Sequence, residues 1–162
     1  MPPTVSAAQD CLAGRRGAVV AAGVTLLVDQ ASKSASALAG PGLGGLNHPT
    51  RNTEFSLGLA SAPWAAQVAL MTVGLLIAGP MLATAVRRGS VPGWAAGLVL
   101  GGSVSNLVDR ALLGSVRDFL HLRTVVLNCA DIAVLTGVIA ITLIALKGAR
   151  ARGATPNTQE GR

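Results

Sequence analysis

At 162 residues the chain is one domain's worth, and it is 51% hydrophobic and only 12% charged, about half the charged share of a soluble domain. With a mean hydropathy of +0.56, that composition excludes disorder and an ordinary water-facing fold. Aromatic residues at 2% leave a nucleic-acid stacking platform nothing to stack on. In so apolar a chain, the net charge of +6 and pI near 11.1 set membrane orientation.

The apolar residues fall in four runs, at 17–39, 62–86, 91–113 and 125–147. Each is long enough for a helix across a bilayer core, which takes roughly 20 residues. The expected fold is therefore all-α and integral to the membrane: four transmembrane helices with a small loop or strand subdomain on the outer face between the first two. Residues 1–16 form a polar N-terminal tail too ragged for a signal peptide, so the first span is expected to stay in the mature protein. The connection Gly40–Ser61 opens Gly-Pro-Gly-Leu-Gly-Gly and cannot start as helix. Its Arg51–Leu59 stretch mixes apolar and polar residues and suits a short strand. Trp64 opens the second span and Trp94 the third, at opposite faces of the membrane, as interfacial anchors do. The third span carries Gly93, Gly97, Gly101 and Ser105 at four-residue spacing, a stripe on which another helix can pack closely. The adjacent stripe, Gly102, Asn106 and Arg110, turns the polar end of this helix into the bundle. Residues 148–162 are polar and basic and read as a disordered tail.

Lys and Arg near the span ends give the orientation. Arg15, Arg16, Arg87, Arg88, Lys147, Arg150 and Arg152 lie on one side, and Lys33, Arg51, Arg110, Arg117 and Arg123 on the other. This bias puts both termini in the cytoplasm.

Two of the seven acids, Asp10 and Glu160, belong to the tails. The other five, Asp29, Glu54, Asp109, Asp118 and Asp131, all fall at the outer end. Ionisable residues at membrane depth are costly and mark function. Asp29 and Lys33, four apart with the acid first, share a helix face; they form a neutralised pair or contact substrate. Asn106, Asp109 and Arg110 occupy one turn, and Asp109 and Arg110 diverge as neighbours, so each needs another partner; they read as a buttress. Asp118 is expected in an outer loop and Asp131 one to two turns into the fourth span, on one face with Asn128. The chain reverses between them, which brings Asp118 over the mouth of the bundle. Two carboxylates meeting there would share a proton, one activating a water and the other protonating a leaving group. Separate pairing with Arg117 and Arg110 is the alternative. No phosphate loop or H-E-x-x-H is present. His48 and His121 read as loop residues without metal-ligand spacing, and Cys11 and Cys129 as free thiols far apart.

Five motifs, in this order on four spans, resemble lipoprotein signal peptidase, or signal peptidase II, the bacterial intramembrane aspartic peptidase family. They are Asp29-Gln30-Ala31-Ser32-Lys33; Arg51-Asn52 with Phe55-Ser56-Leu57-Gly58; Gly101-Gly102 with Asn106-Leu107-Val108-Asp109-Arg110; Val116-Arg117-Asp118-Phe119; and Asn128-Cys129-Ala130-Asp131. The resemblance covers residues 17–147, the expected peptidase domain. It implies removal of the signal peptide from diacylglyceryl-modified prolipoproteins, just before the lipidated cysteine, with Asp118 and Asp131 as catalytic pair. It implies that Asp29, Asn52, Asn106, Asp109, Arg110 and Asn128 line or brace the site, with Lys33 and Ala130 of the same motifs in support. It further implies no metal or other cofactor, inhibition by globomycin-type peptides, and a multi-pass protein of the bacterial cell membrane with its site at the outer face. The first outer loop, Asn52-Thr53-Glu54-Phe55, is shorter than the family's usual one and adds a carboxylate. Besides this peptidase, two readings suit the sequence: an inactive lipoprotein-binding relative, and a small proton-coupled transporter, which would want mid-membrane acids and repeat symmetry.

Overall fold

The computed structural model describes residues 5–42, 47–54, 62–123 and 125–153. The chain forms helix α1 (Val5–Ala39), strand β1 (Asn47–Asn52), helices α2 (Trp64–Arg87) and α3 (Gly93–Leu113), strands β2 (Val116–Leu122) and β3 (Val125–Leu127), and helix α4 (Cys129–Gly153). The three strands make one antiparallel sheet in the order β1-β2-β3.

Among the described residues, three helical stretches, Gln9–Ala39, Trp64–Arg87 and Cys129–Ala151, are long and apolar enough to cross a membrane. The packing is inverted relative to a water-soluble protein. Val19, Val24 and Leu27 on α1, Leu76, Ile77 and Met81 on α2, and Leu135, Ile139 and Leu143 on α4 are exposed, while Asp29, Lys33, Gln67, Ser105, Asp109, Asp118 and Asn128 are buried. Lipid makes sense of both halves: it solvates the aliphatic surface, whereas polar groups must find one another inside. The third helix, α3, is the central one, and Asn106, Asp109 and Arg110 hold down its hydropathy. Its neighbours cover it, so it needs less apolar surface.

The small stripe on α3 is what lets the core close. A Cβ at Gly93 would lie 1.9 Å from the Gly14 carbonyl oxygen, at Gly97 2.4 Å from that of Ala18, and at Gly101 2.5 Å from that of Ala22. Only glycine permits α1 and α3 to meet backbone to backbone. Gly102 faces α4 instead, where a Cβ would meet the Ala130 oxygen at 2.6 Å.

The helix ends carry the site into register. α3 stops at Gly114, left-handed with φ 68°, whose N–H bonds back to the Arg110 carbonyl at 3.1 Å. This C-terminal cap turns the chain directly into β2. β2 then doubles back into β3, with Leu122 opposite Val125 and Arg123 at φ 57° in the turn. β1 pairs with the other edge of β2, placing Thr50 opposite Asp118 and Asn52 opposite Val116.

Several expectations change in detail. The first helix begins at Val5, so Asp10, Arg15 and Arg16 are helical and not part of a loose tail. No proline interrupts this stretch, and nothing in it breaks the helix. The fourth span starts later than expected, because residues 125–127 are strand and Asn128 caps the helix. Residues 148–153, expected to be disordered, continue α4; the remainder of that tail lies outside the described residues. The strand of the first outer connection covers 47–52, earlier than Arg51–Leu59, and residues 55–61, with the Phe55–Gly58 motif, lie outside the described residues. Asp118 belongs to β2 and not to a loop. His48 and His121 also sit in strands, their rings edge to face with centroids 5.3 Å apart.

Candidate active site

The two carboxylates meet through Asn128. Its amide nitrogen donates to Asp118 Oδ1 at 2.6 Å. Its backbone N–H donates to Asp131 Oδ2 at 3.1 Å, and its side-chain oxygen accepts the Asp131 N–H at 3.0 Å. The last two bonds form a reciprocal capping box at the start of α4. The Asn-x-x-Asp spacing is therefore, locally, a helix start whose third residue is an acid held in place from both sides. The free oxygens are also engaged: Asp118 Oδ2 accepts from Asn52 on β1 at 2.9 Å, and Asp131 Oδ1 from Asn106 on α3 at 2.9 Å. Four elements thus fix two acids, and each of the four carboxylate oxygens accepts an N–H.

Asp118 is buried, 3% exposed. Burial pushes its carboxyl above the usual carboxylate range; the Asn52 and Asn128 hydrogen bonds oppose that, and the nearby Asp131 charge adds to it.

Beneath the acids lies a fully buried cation. Lys33 Nζ contacts Asp29 Oδ2 at 2.6 Å, Asp109 Oδ2 at 3.1 Å and Asn106 Oδ1 at 3.0 Å. Three protons meet three acceptors, which is what an ammonium shielded from water requires. Asp29 extends the network: its Oδ2 accepts the Ser105 hydroxyl at 2.6 Å, and its Oδ1 accepts the Ala130 N–H at 2.8 Å. It thereby satisfies an orphan N–H in the first turn of α4, where a negative charge also suits the helix dipole. The pair expected from four-residue spacing exists, and it is a scaffold for α4 as well.

Asp109 and Arg110 diverge as expected and find separate partners. Asp109 takes Arg117 through its backbone N–H at 3.0 Å and its guanidinium at 2.7 Å, and Gln30 at 3.0 Å. Arg117 also reaches the Gln30 oxygen at 2.6 Å. The alternative in which Arg117 neutralises one of the paired acids is replaced by this contact. Arg110 donates to Gln67 at 2.7 Å and to the Glu54 carbonyl at 2.9 Å. Gln67 in turn donates to the carbonyls of Thr53 and Ala62 at 3.0 and 2.8 Å. The Trp64 indole N–H caps the Arg110 carbonyl. Together these side chains pin both ends of the segment that links β1 to α2.

Every residue singled out from the sequence, Asp118, Asp131, Asp29, Lys33, Asn52, Asn106, Asp109, Arg110, Asn128 and Ala130, lies in this one connected cluster. Gln30, Gln67 and Ser105 also belong to it and were not expected. Gln67 carried a usable signal: a lone amide inside an otherwise apolar span must face a partner. Ser105 stands in the small-residue stripe of α3, and nothing in its spacing distinguishes a hydroxyl donor from a spacer.

A family model described as "Signal peptidase (SPase) II" matches residues 21–147. The lipoprotein signal peptidase of Parasynechococcus marenigrum is 40% identical over 131 residues, covering 70% of this chain and 78% of the relative. That of Rhizorhabdus wittichii is 32% identical over 149 residues, covering 77% and 83%. Among solved structures, a bacterial membrane enzyme determined at 2.3 Å superposes with a TM-score of 0.72 at 20% identity, over 90% of this chain and 94% of that one. A second, at 1.9 Å, gives 0.66 at 22% identity, over 80% and 91%.

Proposed function

The chain belongs to the signal peptidase II family, membrane peptidases that remove signal peptides from prolipoproteins, and from that premise we propose that Asp118 and Asp131 are the aspartic pair that makes the cut. The observation that carries this reading is Asn128, which donates to both carboxylates at once, through its side-chain amide to Asp118 and through its backbone N–H to Asp131. An unrelated pair of structural acids would be held by separate partners.

The charge balance supports a shared proton. Asp29, Asp109, Asp118 and Asp131 face Lys33, Arg110 and Arg117, four acids against three bases. One proton on the Asp118–Asp131 pair brings the buried cluster to neutrality, where low dielectric makes net charge costly. The ionised member then takes a proton from a water as its oxygen attacks the scissile carbonyl. The protonated member hydrogen-bonds the carbonyl oxygen as charge develops there. Collapse of the tetrahedral intermediate passes a proton to the leaving amine, and the pair returns to its starting state. The roles belong to the pair, since the two carboxyls titrate together.

All four helices span the membrane in this reading, with both termini cytoplasmic and the sheet and acids at the outer face. The substrate is a diacylglyceryl-modified prolipoprotein. Its acyl chains stay in lipid beside the bundle while the peptide before the modified cysteine reaches the carboxylates. A depth this close to the surface admits the water that hydrolysis consumes.

The direct test is purified protein incubated with a diacylated prolipoprotein, with and without globomycin. The expected result is release of the signal peptide, blocked by the inhibitor. Cleavage of the unlipidated precursor at the same rate would remove the lipid from the recognition argument, and absence of cleavage would favour a lipoprotein-binding relative.

A further inference from the structure

At the end of the bundle opposite the carboxylates, α1, α2 and α3 enclose a cleft of about 370 Å³. Its walls follow helical spacing: Ala18, Val19 and Ala22 on α1, Pro80 and Ala83 on α2, and Ala96 and Leu100 on α3. α2 meets α1 near the base, where a Cβ on Gly14 would lie 3.2 Å from Val86. Beyond that contact the lining alanines are too small to fill the space between three helices. A void of this kind, open towards lipid and walled by methyl groups, gains contacts when an acyl chain enters it.

One end of the cleft is charged. Arg15, inside α1, and Arg87, the last residue of α2, line it, both exposed. Among the described residues neither lies within ion-pair distance of a carboxylate; Arg87 gives one bond to Thr84 Oγ1 at 3.1 Å. The only nearby acid in sequence, Asp10, precedes Arg15 by more than a turn of α1. From Arg15 to Ala22 the slot runs about 10 Å along the helix axis. Two guanidiniums above an apolar slot match a phosphodiester anion with a hydrocarbon tail.

We infer that this cleft binds an anionic phospholipid, with its phosphate held between Arg15 and Arg87 and one acyl chain lying along Ala18, Ala22, Ala83 and Leu100. The site is remote from the acid pair and independent of the catalytic reading. A zwitterionic lipid fits the slot less well, because its own headgroup cation competes for the phosphate.

The test uses the full-length protein in detergent, titrated separately with phosphatidylglycerol and phosphatidylcholine and read by native mass spectrometry as retained lipid. Phosphatidylglycerol should bind on the order of tenfold more tightly, and the preference should vanish in Arg15→Gln/Arg87→Gln. Arg16→Gln/Arg88→Gln removes the same charge from the same end but outside the cleft, and should keep the preference. Ala83→Phe, which fills the slot from α2, should reduce retention of phosphatidylglycerol with both arginines intact. Equal binding of the two lipids by the parent protein overturns the inference. So does an equal loss in the two double variants, which would describe a diffuse charge film. Full retention by Ala83→Phe would remove the acyl chain from the cleft.

Discussion

Asn128 holds the catalytic proposal together at the level of single residues, because its amide nitrogen donates to Asp118 and its backbone N–H to Asp131, while its side-chain oxygen caps α4. These two roles separate by substitution. Asn128→Ser keeps a capping oxygen but loses the amide donor to Asp118; it should fold with near-parental yield and turn over far more slowly. Asn128→Ala should also lose about 0.5–2 kcal/mol of stability with the cap, measured by thermal unfolding in detergent. Asp118→Asn and Asp131→Asn should each remove nearly all cleavage while leaving globomycin binding largely intact, and the double variant should be little worse than either single one. Substantial cleavage by a well-folded single variant would move the chemistry elsewhere, with Asp109 the next candidate. For Asp118 the pH dependence of stability has a definite sign. Its folded value lies above 3.8, the ordinary one. As pH climbs from that ordinary value through the folded one, the unfolded chain gives up this proton first, so the Asp118 contribution falls across that window and is flat above it. The stability of Asp118→Asn relative to the parent should therefore rise as pH climbs above about 4 and level off beyond the folded value. An unchanging or falling difference would contradict the burial argument.

The elements divide between those that must touch and those that face lipid, and glycine marks the difference. Gly97 and Gly101 have α1 backbone where a Cβ would go, whereas Gly74 and Gly79 on α2 have nothing within 4 Å. Gly101→Leu should abolish folded yield, since neither backbone can retreat without moving the Lys33 network one turn above. Gly74→Ala should be neutral or stabilising by up to about 1 kcal/mol. Comparable losses at both positions, read as monodisperse yield, would show that the stripe is not the packing seam. Arg110 links α3 to α2 and to the segment after β1. Arg110→Ala leaves the Gln67 oxygen without that donor, at a cost of roughly 1–3 kcal/mol, and should lower folded yield before it affects turnover. A fully folded Arg110→Ala that fails only in catalysis would make Arg110 part of the chemistry.

On the scale of the whole molecule, polar groups at one end and basic residues at the other make the bundle directional. Arg15, Arg16, Arg87, Arg88, Lys147 and Arg150 lie towards the end of the bundle away from the sheet. A reporter joined beyond Arg150 should be active only in a cytoplasmic format, and activity in an outer-face format would reverse the topology. Trp64 and Trp94, each about half exposed and at opposite ends of the bundle, fit the two headgroup layers.

Composition and spacing alone determined the membrane location, the runs of helix, the α3 packing stripe, the Asp29–Lys33 pair and the collection of acids at one end. These follow from periodicity and from the cost of charge in lipid, which act along the chain and leave a pattern in it. The partners of each acid were decided only by the tertiary structure. Whether Asp118 met Arg117 or Asn128 depended on which face of β2 turned to α4, and Gly114, the Arg123 turn and the pairing with β1 together set that face. Gln30 and Ser105 joined the cluster because α1 and α3 approach at backbone distance, which brings residues 75 positions apart into hydrogen-bond contact. Such contacts come from three-dimensional closure, and no local pattern encodes them.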